Sequence, residues 1–194
     1  MRIALARTLS ILGHPLLVLP AAALLVAALG GMPTRQWMIA ATALGLIALS
    51  IQAWSWRQVR RGTWQHVDAS LRHERQGLNR FLLVLLAGAA GFFSLVSPQP
   101  ALPLGLACAA AMVATGLLLA TWLKLSLHAA FATFSALLLW ALGPAVMVAG
   151  CFFAAAVAWS RWVLGRHRRR ELLAGALAGA TAGVAFWALL PRLA

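Results

Sequence analysis

The feature that most constrains this chain is a succession of long apolar runs separated by short polar segments. Runs of roughly 17–25 residues are long enough to cross the hydrocarbon core of a bilayer as helices. Such runs lie near residues 12–31, 36–54, 80–97, 102–122, 128–142, 144–162 and 172–190. Because backbone polar groups in lipid must be satisfied within helices, the sequence predicts one integral membrane domain over residues 1–194, an all-α polytopic transmembrane helical bundle of six to seven spans.

The number of spans depends on one dipeptide, Gly143-Pro144. Proline lacks a backbone donor and disfavours the helical conformation of the residue before it, so it separates the runs at 128–142 and 144–162. If these two runs are one bent element, the count falls from seven to six. The first run, 12–31, is long for the apolar part of a signal peptide and is interpreted as a retained span.

Three polar segments, 55–80, 122–128 and 160–171, carry most of the ionisable residues. Two crossings separate each segment from the next in a seven-span arrangement, so all three emerge on one face. All of the 16 basic residues except Arg35 and Arg192 then lie on that face. The positive-inside rule makes this face cytoplasmic, in a membrane that we expect to be a bacterial inner membrane, although arginines that bind a phosphate would produce the same excess.

The composition excludes several classes of function. The chain is 63% hydrophobic and 10% charged, whereas soluble domains are about half apolar and about a quarter charged. The net charge of +13 is confined to membrane-flanking segments, so it indicates anionic lipid or phosphate as a partner and not nucleic acid.

Acidic residues are too scarce for most metal chemistry. The chain contains only Asp68, Glu74 and Glu171, whereas magnesium-dependent phosphotransferases hold their metal through several carboxylates. No H-E-x-x-H zinc motif, glycine-rich phosphate loop or G-x-S-x-G elbow occurs, so we expect neither a metal site nor a cofactor. Phosphoryl transfer through histidine remains, because it needs an imidazole nucleophile, an acid, one orienting carboxylate and several cations.

Residues 160–171, SRWVLGRHRRRE, hold the first set of such groups. His167 and Glu171 are four residues apart and would share one face of a helix, so the carboxylate can hold one imidazole nitrogen. Arg161 and Ser160 precede them at the end of an apolar run. The other arginines of the segment are typical of a membrane anchor.

A second set lies at residues 122–128, where His128 opens an apolar run. Ser126 and Lys124, the only lysine in the chain, precede it. In the last run, Gly175, Gly179 and Gly183 recur at four-residue intervals, which predicts close packing of that helix against a neighbour.

These motifs resemble those of the type 2 phosphatidic acid phosphatase superfamily. The pattern SR-x5-H-x3-E at residues 160–171 is similar to its third signature, SR-x5-H-x3-D, and LSLH at 125–128 is similar to its second, PSGH. Leu125 and Leu127 replace the proline and glycine of the family. The first signature, K-x6-RP, is not met, and Arg75 is the residue carried over from it.

The resemblance implies a metal-independent membrane phosphatase that acts on a phosphorylated lipid through a phosphohistidine. In that mechanism His167 attacks phosphorus, Glu171 orients it, and His128 protonates the leaving oxygen and then activates water. The phosphate-binding residues are Arg161, Ser126, Arg75 and Ser160, with Lys124 added from its proximity alone. The alternative is a non-catalytic membrane protein of the same fold that binds anionic lipid or a protein partner.

Overall fold

The structure is a computed structural model that describes residues 1–65, 69 and 71–193. These residues form eight α-helices and no strand. The helices are α1 (Arg2–Leu12), α2 (Pro15–Leu29), α3 (Thr34–Arg60), α4 (Arg72–Val96), α5 (Ala101–Leu118), α6 (Leu127–Leu138), α7 (Pro144–Val163) and α8 (Arg169–Leu193), and a 3₁₀ turn, Leu139–Leu142, continues α6.

The all-α membrane bundle predicted from the sequence is confirmed. Among the described residues, α3, α4, α5, α7 and α8 are each long and apolar enough to cross a membrane. Helices α1 and α2, bent by 58° at their junction, add a sixth span if they cross together. The fifth predicted span, 128–142, corresponds to α6 and its 3₁₀ turn, which form a shorter apolar helix over Leu127–Leu142.

The first predicted span, 12–31, corresponds to α2, and the chain breaks at its beginning, at Gly13 and His14. Pro15 is the first residue of α2, where its missing N–H costs no hydrogen bond. The His14 side chain caps α2, with its Nδ1 accepting from the Leu16 N–H at 3.3 Å. The apolar run therefore contains a helix start that its hydropathy hides.

The boundary predicted at Gly143-Pro144 is present, since α7 begins at Pro144. The polar connection predicted at 55–80 is shorter than expected, because α3 continues to Arg60 and α4 begins at Arg72. Residues 66–68 and 70 of this connection, Asp68 among them, lie outside the described residues.

Helix α6 lies at the centre of the bundle and packs against α2, α7 and α8. The glycines of α8 face it closely: a Cβ atom at Gly175 would collide with the Ser126 carbonyl oxygen, and one at Gly179 with that of Ala130. This packing brings the beginnings of α6 and α8 together, and the Ser126 N–H donates to the Glu171 carbonyl oxygen at 3.2 Å. The two polar segments found in the sequence are therefore neighbours.

Candidate functional site

A cavity of about 940 Å³ lies among the helices and reaches the face where the polar segments meet. Among the residues that the structure describes, the ionisable groups of its wall come from five separate parts of the chain. They are His14 between α1 and α2, Arg72 and Arg75 of α4, Lys124 before α6, His128 of α6, and Arg161, Arg166 and His167 at the end of α7 and beyond it. Of the predicted site residues, His167, His128, Arg161, Arg75 and Lys124 thus share one cavity.

His167 is held by Glu171, although the two residues do not lie on one helix as the spacing suggested. Helix α7 ends at Val163 and α8 begins at Arg169, so His167 belongs to the connection. Glu171 is the third residue of α8, and its Oε2 accepts from the Arg168 backbone N–H at 3.0 Å. The same oxygen lies 3.1 Å from Nδ1 of His167.

This contact assigns the tautomer of the neutral imidazole. A carboxylate accepts hydrogen bonds, so Nδ1 of His167 carries the proton and Nε2 keeps its lone pair. The His167 side chain is 8% exposed and that of Glu171 is 12% exposed. The pair therefore places an oriented, unprotonated ring nitrogen in a largely dehydrated wall.

Two features determine the conformation of the connection that carries His167. Gly165 has a φ of +65°, a left-handed conformation that glycine adopts without steric cost. The Lys124 Nζ donates to the Arg166 carbonyl oxygen at 2.9 Å, which ties this connection to the one before α6. The only lysine in the chain thus joins the two segments that carry His128 and His167.

Positive charge is concentrated around this polar end. The pKa of Lys124 is lowered by burial first, and then by the charges of Arg75, Arg161 and Arg166, with Glu171 acting in the opposite direction. Burial and the charge of Lys124 lower the pKa of His167 to about 4, against the hydrogen bond to Glu171, which raises it. His167 is therefore neutral near pH 7, and the crowded cations favour an anionic ligand.

His128 and His14 lie together in the wall, with ring centroids 5.2 Å apart and perpendicular planes. His128 is the second residue of α6, a position set by the cap of that helix. The sequence alone predicts no role in the site for His14. The sequence feature that indicates its position is the His14-Pro15 dipeptide, because proline at a first helical position marks a helix boundary.

Ser126 and Ser160, both predicted to bind phosphate, are fully buried. The Ser126 hydroxyl caps α6 and accepts from the Ala129 N–H at 3.4 Å. The Ser160 hydroxyl donates to the Val157 carbonyl oxygen at 2.6 Å. Both hydroxyls form hydrogen bonds with the backbone of their own helices. Neither residue lines the cavity described above.

Arg161 is held by a residue that sequence reasoning missed. Its Nη1 donates to the Ser10 hydroxyl at 2.7 Å, so the end of α1 reaches the site. One helical turn earlier on α7, Val157 faces Gly13, where any Cβ atom would collide with it. No local signal in the sequence links Ser10 to Arg161, since the two are distant along the chain.

Within the part of the chain that the structure describes, no three His, Cys, Asp or Glu side chains are grouped as a metal site. Glu74, one of the three acids, is fully buried and accepts from the Gln65 and Leu71 backbone N–H groups.

Comparison of the chain with protein-family models, curated proteins and solved structures found no match.

Proposed function

We propose that this chain is an integral membrane phosphatase that hydrolyses a lipid phosphate or diphosphate through a phosphohistidine, without a metal ion. The observation that carries the proposal is the convergence of His167, His128 and Arg161 on the wall of one cavity. The contact between Glu171 and His167 supports it further, because a nucleophilic imidazole needs a group that orients it and stabilises its cation.

In the first step, Arg161, Lys124 and Arg75 bind the phosphate oxygens, the arginines with two parallel hydrogen bonds where geometry allows. The Nε2 lone pair of His167 attacks phosphorus, so an N–P bond forms and the P–O bond to the lipid breaks. The leaving oxygen takes a proton from His128. Burial and then the charge of Arg161 lower the pKa of His128 to about 2, so its imidazole is neutral in the free protein and takes this proton from the phosphate monoanion as it binds. Glu171 balances the positive charge that develops on the His167 ring.

In the second step, the now neutral His128 takes a proton from water as the water oxygen attacks phosphorus. The N–P bond breaks, inorganic phosphate leaves, and His167 returns to its neutral form. The lipid product is an alcohol when the substrate is a monophosphate and a monophosphate when it is a diphosphate. No carboxylate beyond Glu171 is required, which agrees with the few acids in the chain.

The proposal is tested by phosphate release from purified protein in detergent with a chelator present. His167→Ala is expected to lower kcat/KM by about 10³-fold or more, and His128→Ala by about 10²- to 10⁴-fold. His73→Ala is the matched control, because His73 is exposed on α4 and its loss is expected to change the rate by less than about twofold. Activity that survives both site substitutions would overturn the proposal.

The intermediate gives a second, independent measurement. With a ³²P-labelled lipid phosphate, His128→Ala protein is expected to accumulate label that is stable in alkali and released by acid, as a phosphoramidate is. His167→Ala protein is expected to take up none. Label that persists in the His167 variant would place the covalent step on another residue.

A second candidate function is the binding of an anionic lipid without turnover. It is favoured by the hydrogen bonds of the Ser126 and Ser160 hydroxyls to helix backbone. Because these hydroxyls are occupied, the phosphate would be bound by the cationic side chains alone. In that case wild-type protein binds a phosphorylated lipid but releases no phosphate, and His167→Ala binds it equally well.

The proposal includes a bacterial inner membrane as the location, with the polar end of the cavity on the cytoplasmic face. Its support is the excess of basic residues at that end. The test is a Gly62→Cys variant in which Cys151, the exposed native cysteine, is replaced by serine. Protection of the new cysteine from an impermeant maleimide in intact cells supports a cytoplasmic site, and labelling contradicts it.

A further inference from the structure

The cavity continues away from the polar end as an apolar channel between the helices. On α3, its wall is a stripe at helical spacing that includes Ala40, Leu44, Ile47 and Ile51 and ends at Ser55. From Ala40 to Ser55 the stripe is roughly 22 Å long at about 1.5 Å per residue. The channel therefore runs along most of a hydrocarbon core that is about 30 Å thick.

The two ends of the channel differ in chemistry. The near end holds His128, His167 and Arg161, whereas Phe186 and Trp187 of α8 line the far end. Helix α8 begins beside His167 and reaches Phe186 more than four turns later, roughly 26 Å along its axis, which places these groups at opposite ends. Cations at one end and hydrocarbon at the other match an amphiphile with an anionic head and a long chain.

We propose that this channel binds the hydrocarbon chain of the substrate inside the protein, so that the ligand is a phosphate ester of a single long alkyl or prenyl chain. The identity of the head group rests on the proposed function. The cavity volume of about 940 Å³ lies at the upper end of the range of roughly 300–1,000 Å³ found for small-molecule sites. The residues that line the channel therefore select the hydrocarbon chain of the ligand, in addition to the contacts that bind its phosphate.

Gly105 offers a direct way to narrow the channel. It lies in the wall on α5, and a Cβ atom there would come within 3.9 Å of the Phe186 ring, an ordinary contact distance. Gly105→Leu adds a side chain to the channel and also removes a glycine from a helix interior, which favours the helix. Gly88→Leu is the matched control, because Gly88 is exposed on α4 and a Cβ atom there meets no other atom within 4 Å.

The first experiment compares butyl phosphate with hexadecyl phosphate as substrates of the purified protein in detergent. Gly105→Leu is expected to lower kcat/KM for the hexadecyl ester by at least about tenfold, the effect of a methylene-sized misfit in an apolar pocket. The rate with the butyl ester, which does not reach Gly105, is expected to stay within about twofold, which also shows that the variant is folded. Equal rates of wild type and Gly105→Leu with the hexadecyl ester would overturn the inference.

The second experiment does not depend on hydrolysis. Hexadecylphosphonate with a diazirine at its terminal carbon is photolysed with wild-type protein, and the modified residues are mapped by mass spectrometry. Labels on the stretch around Gly105 or on Phe186 and Trp187 are expected. Labels confined to outward-facing residues of α4 such as Val84 and Leu95, which are 73% and 86% exposed, would overturn the inference.

The two experiments separate this inference from the proposed function. Labels at the far end of the channel, with no phosphate release from any ester, would contradict the proposed phosphatase activity and support the binding of the hydrocarbon chain in the channel. Phosphate release that is insensitive to Gly105→Leu, with labels only on the lipid-facing surface, would leave the phosphatase standing and refute the channel.

Discussion

Two glutamates of this protein occupy the same position on two different helices. Glu74 is the third residue of α4 and Glu171 is the third residue of α8. Each carboxylate folds back onto the backbone N–H that precedes its helix, that of Leu71 at 2.9 Å and that of Arg168 at 3.0 Å. A carboxylate in the first turn satisfies an unpaired N–H group and interacts favourably with the helix dipole.

The two caps differ in what else the carboxylate holds. The second oxygen of Glu74 accepts from the Gln65 backbone N–H at 2.7 Å, so this residue closes the connection between α3 and α4. Glu171 holds the His167 side chain, which lines the cavity. The same type of helix cap therefore stabilises the backbone of a connection at Glu74 and orients an imidazole at Glu171. Substitutions of the two glutamates can separate these roles.

Of the substitutions that test the comparison between the two caps, Glu171→Gln is expected to have the largest effect. The amide oxygen still accepts from the Arg168 N–H, but the charge that orients His167 and stabilises its cation is lost. We expect kcat/KM to fall by about 10²-fold or more, because the amide oxygen can still accept from the His167 Nδ1–H but no longer balances the positive charge that develops on the ring. The measurement is phosphate release, with thermal unfolding in detergent as the control for stability. A rate within twofold of wild type would show that Glu171 only caps α8.

Glu74→Gln is expected to have the reverse profile. Glu74 is fully buried, and both of its oxygens accept backbone N–H groups, so the amide turns a donor toward one of them. The free energy of unfolding should fall by about 1.5–3 kcal/mol, the range for hydrogen bonds to a charged group. Thermal unfolding in detergent measures the loss, and phosphate release per folded molecule should be unchanged. A large fall in rate without loss of stability would give Glu74 a role in the site.

Ser10 tests whether a neutral partner matters as much as a charged one. Its hydroxyl holds Arg161 as Glu171 holds His167, but a neutral hydroxyl contributes less than a carboxylate. Ser10→Ala is expected to raise KM by roughly three- to tenfold with little change in kcat, because Arg161 binds phosphate. Thr8→Ala is the control, since the Thr8 hydroxyl bonds the exposed backbone of α1. Equal effects of the two substitutions would contradict a role for Ser10.

Much of the fold was predictable because the length of an apolar run and the chemistry of proline act locally. The spans at 36–54 and 172–190 are present as α3 and α8, and Pro144 begins α7. The break at His14 is indicated by the proline that follows it, whereas hydropathy averages over a helix boundary in an apolar run. The 3₁₀ turn at Leu139–Leu142 also shortens α6 without any change in polarity.

The candidate site was predictable where residues are close in sequence and where the order of the apolar runs places separate polar segments on one face. The spacing of His167 and Glu171 predicted their contact, although a cap and not a helix face brings them together. Spacing does not show whether a hydroxyl is free to bind phosphate or caps its own helix, as that of Ser126 does. The contact of Ser10 with Arg161 and the apolar channel arise from packing between helices, which no local pattern encodes.

The smallest expected effect, a shift in pH dependence, distinguishes the two caps most directly. His167 reacts as the neutral imidazole, so kcat/KM falls as the pH drops through its pKa of about 4. Glu171 raises this pKa and Lys124 lowers it. The acid limb should therefore move to lower pH in Glu171→Gln, to higher pH in Lys124→Gln, and stay in place in Glu74→Gln. The ionisation of the substrate is common to all four profiles, so it cancels in the comparison. Parallel shifts in the two glutamate variants would show that the limb reports general helix capping and not the charge beside His167.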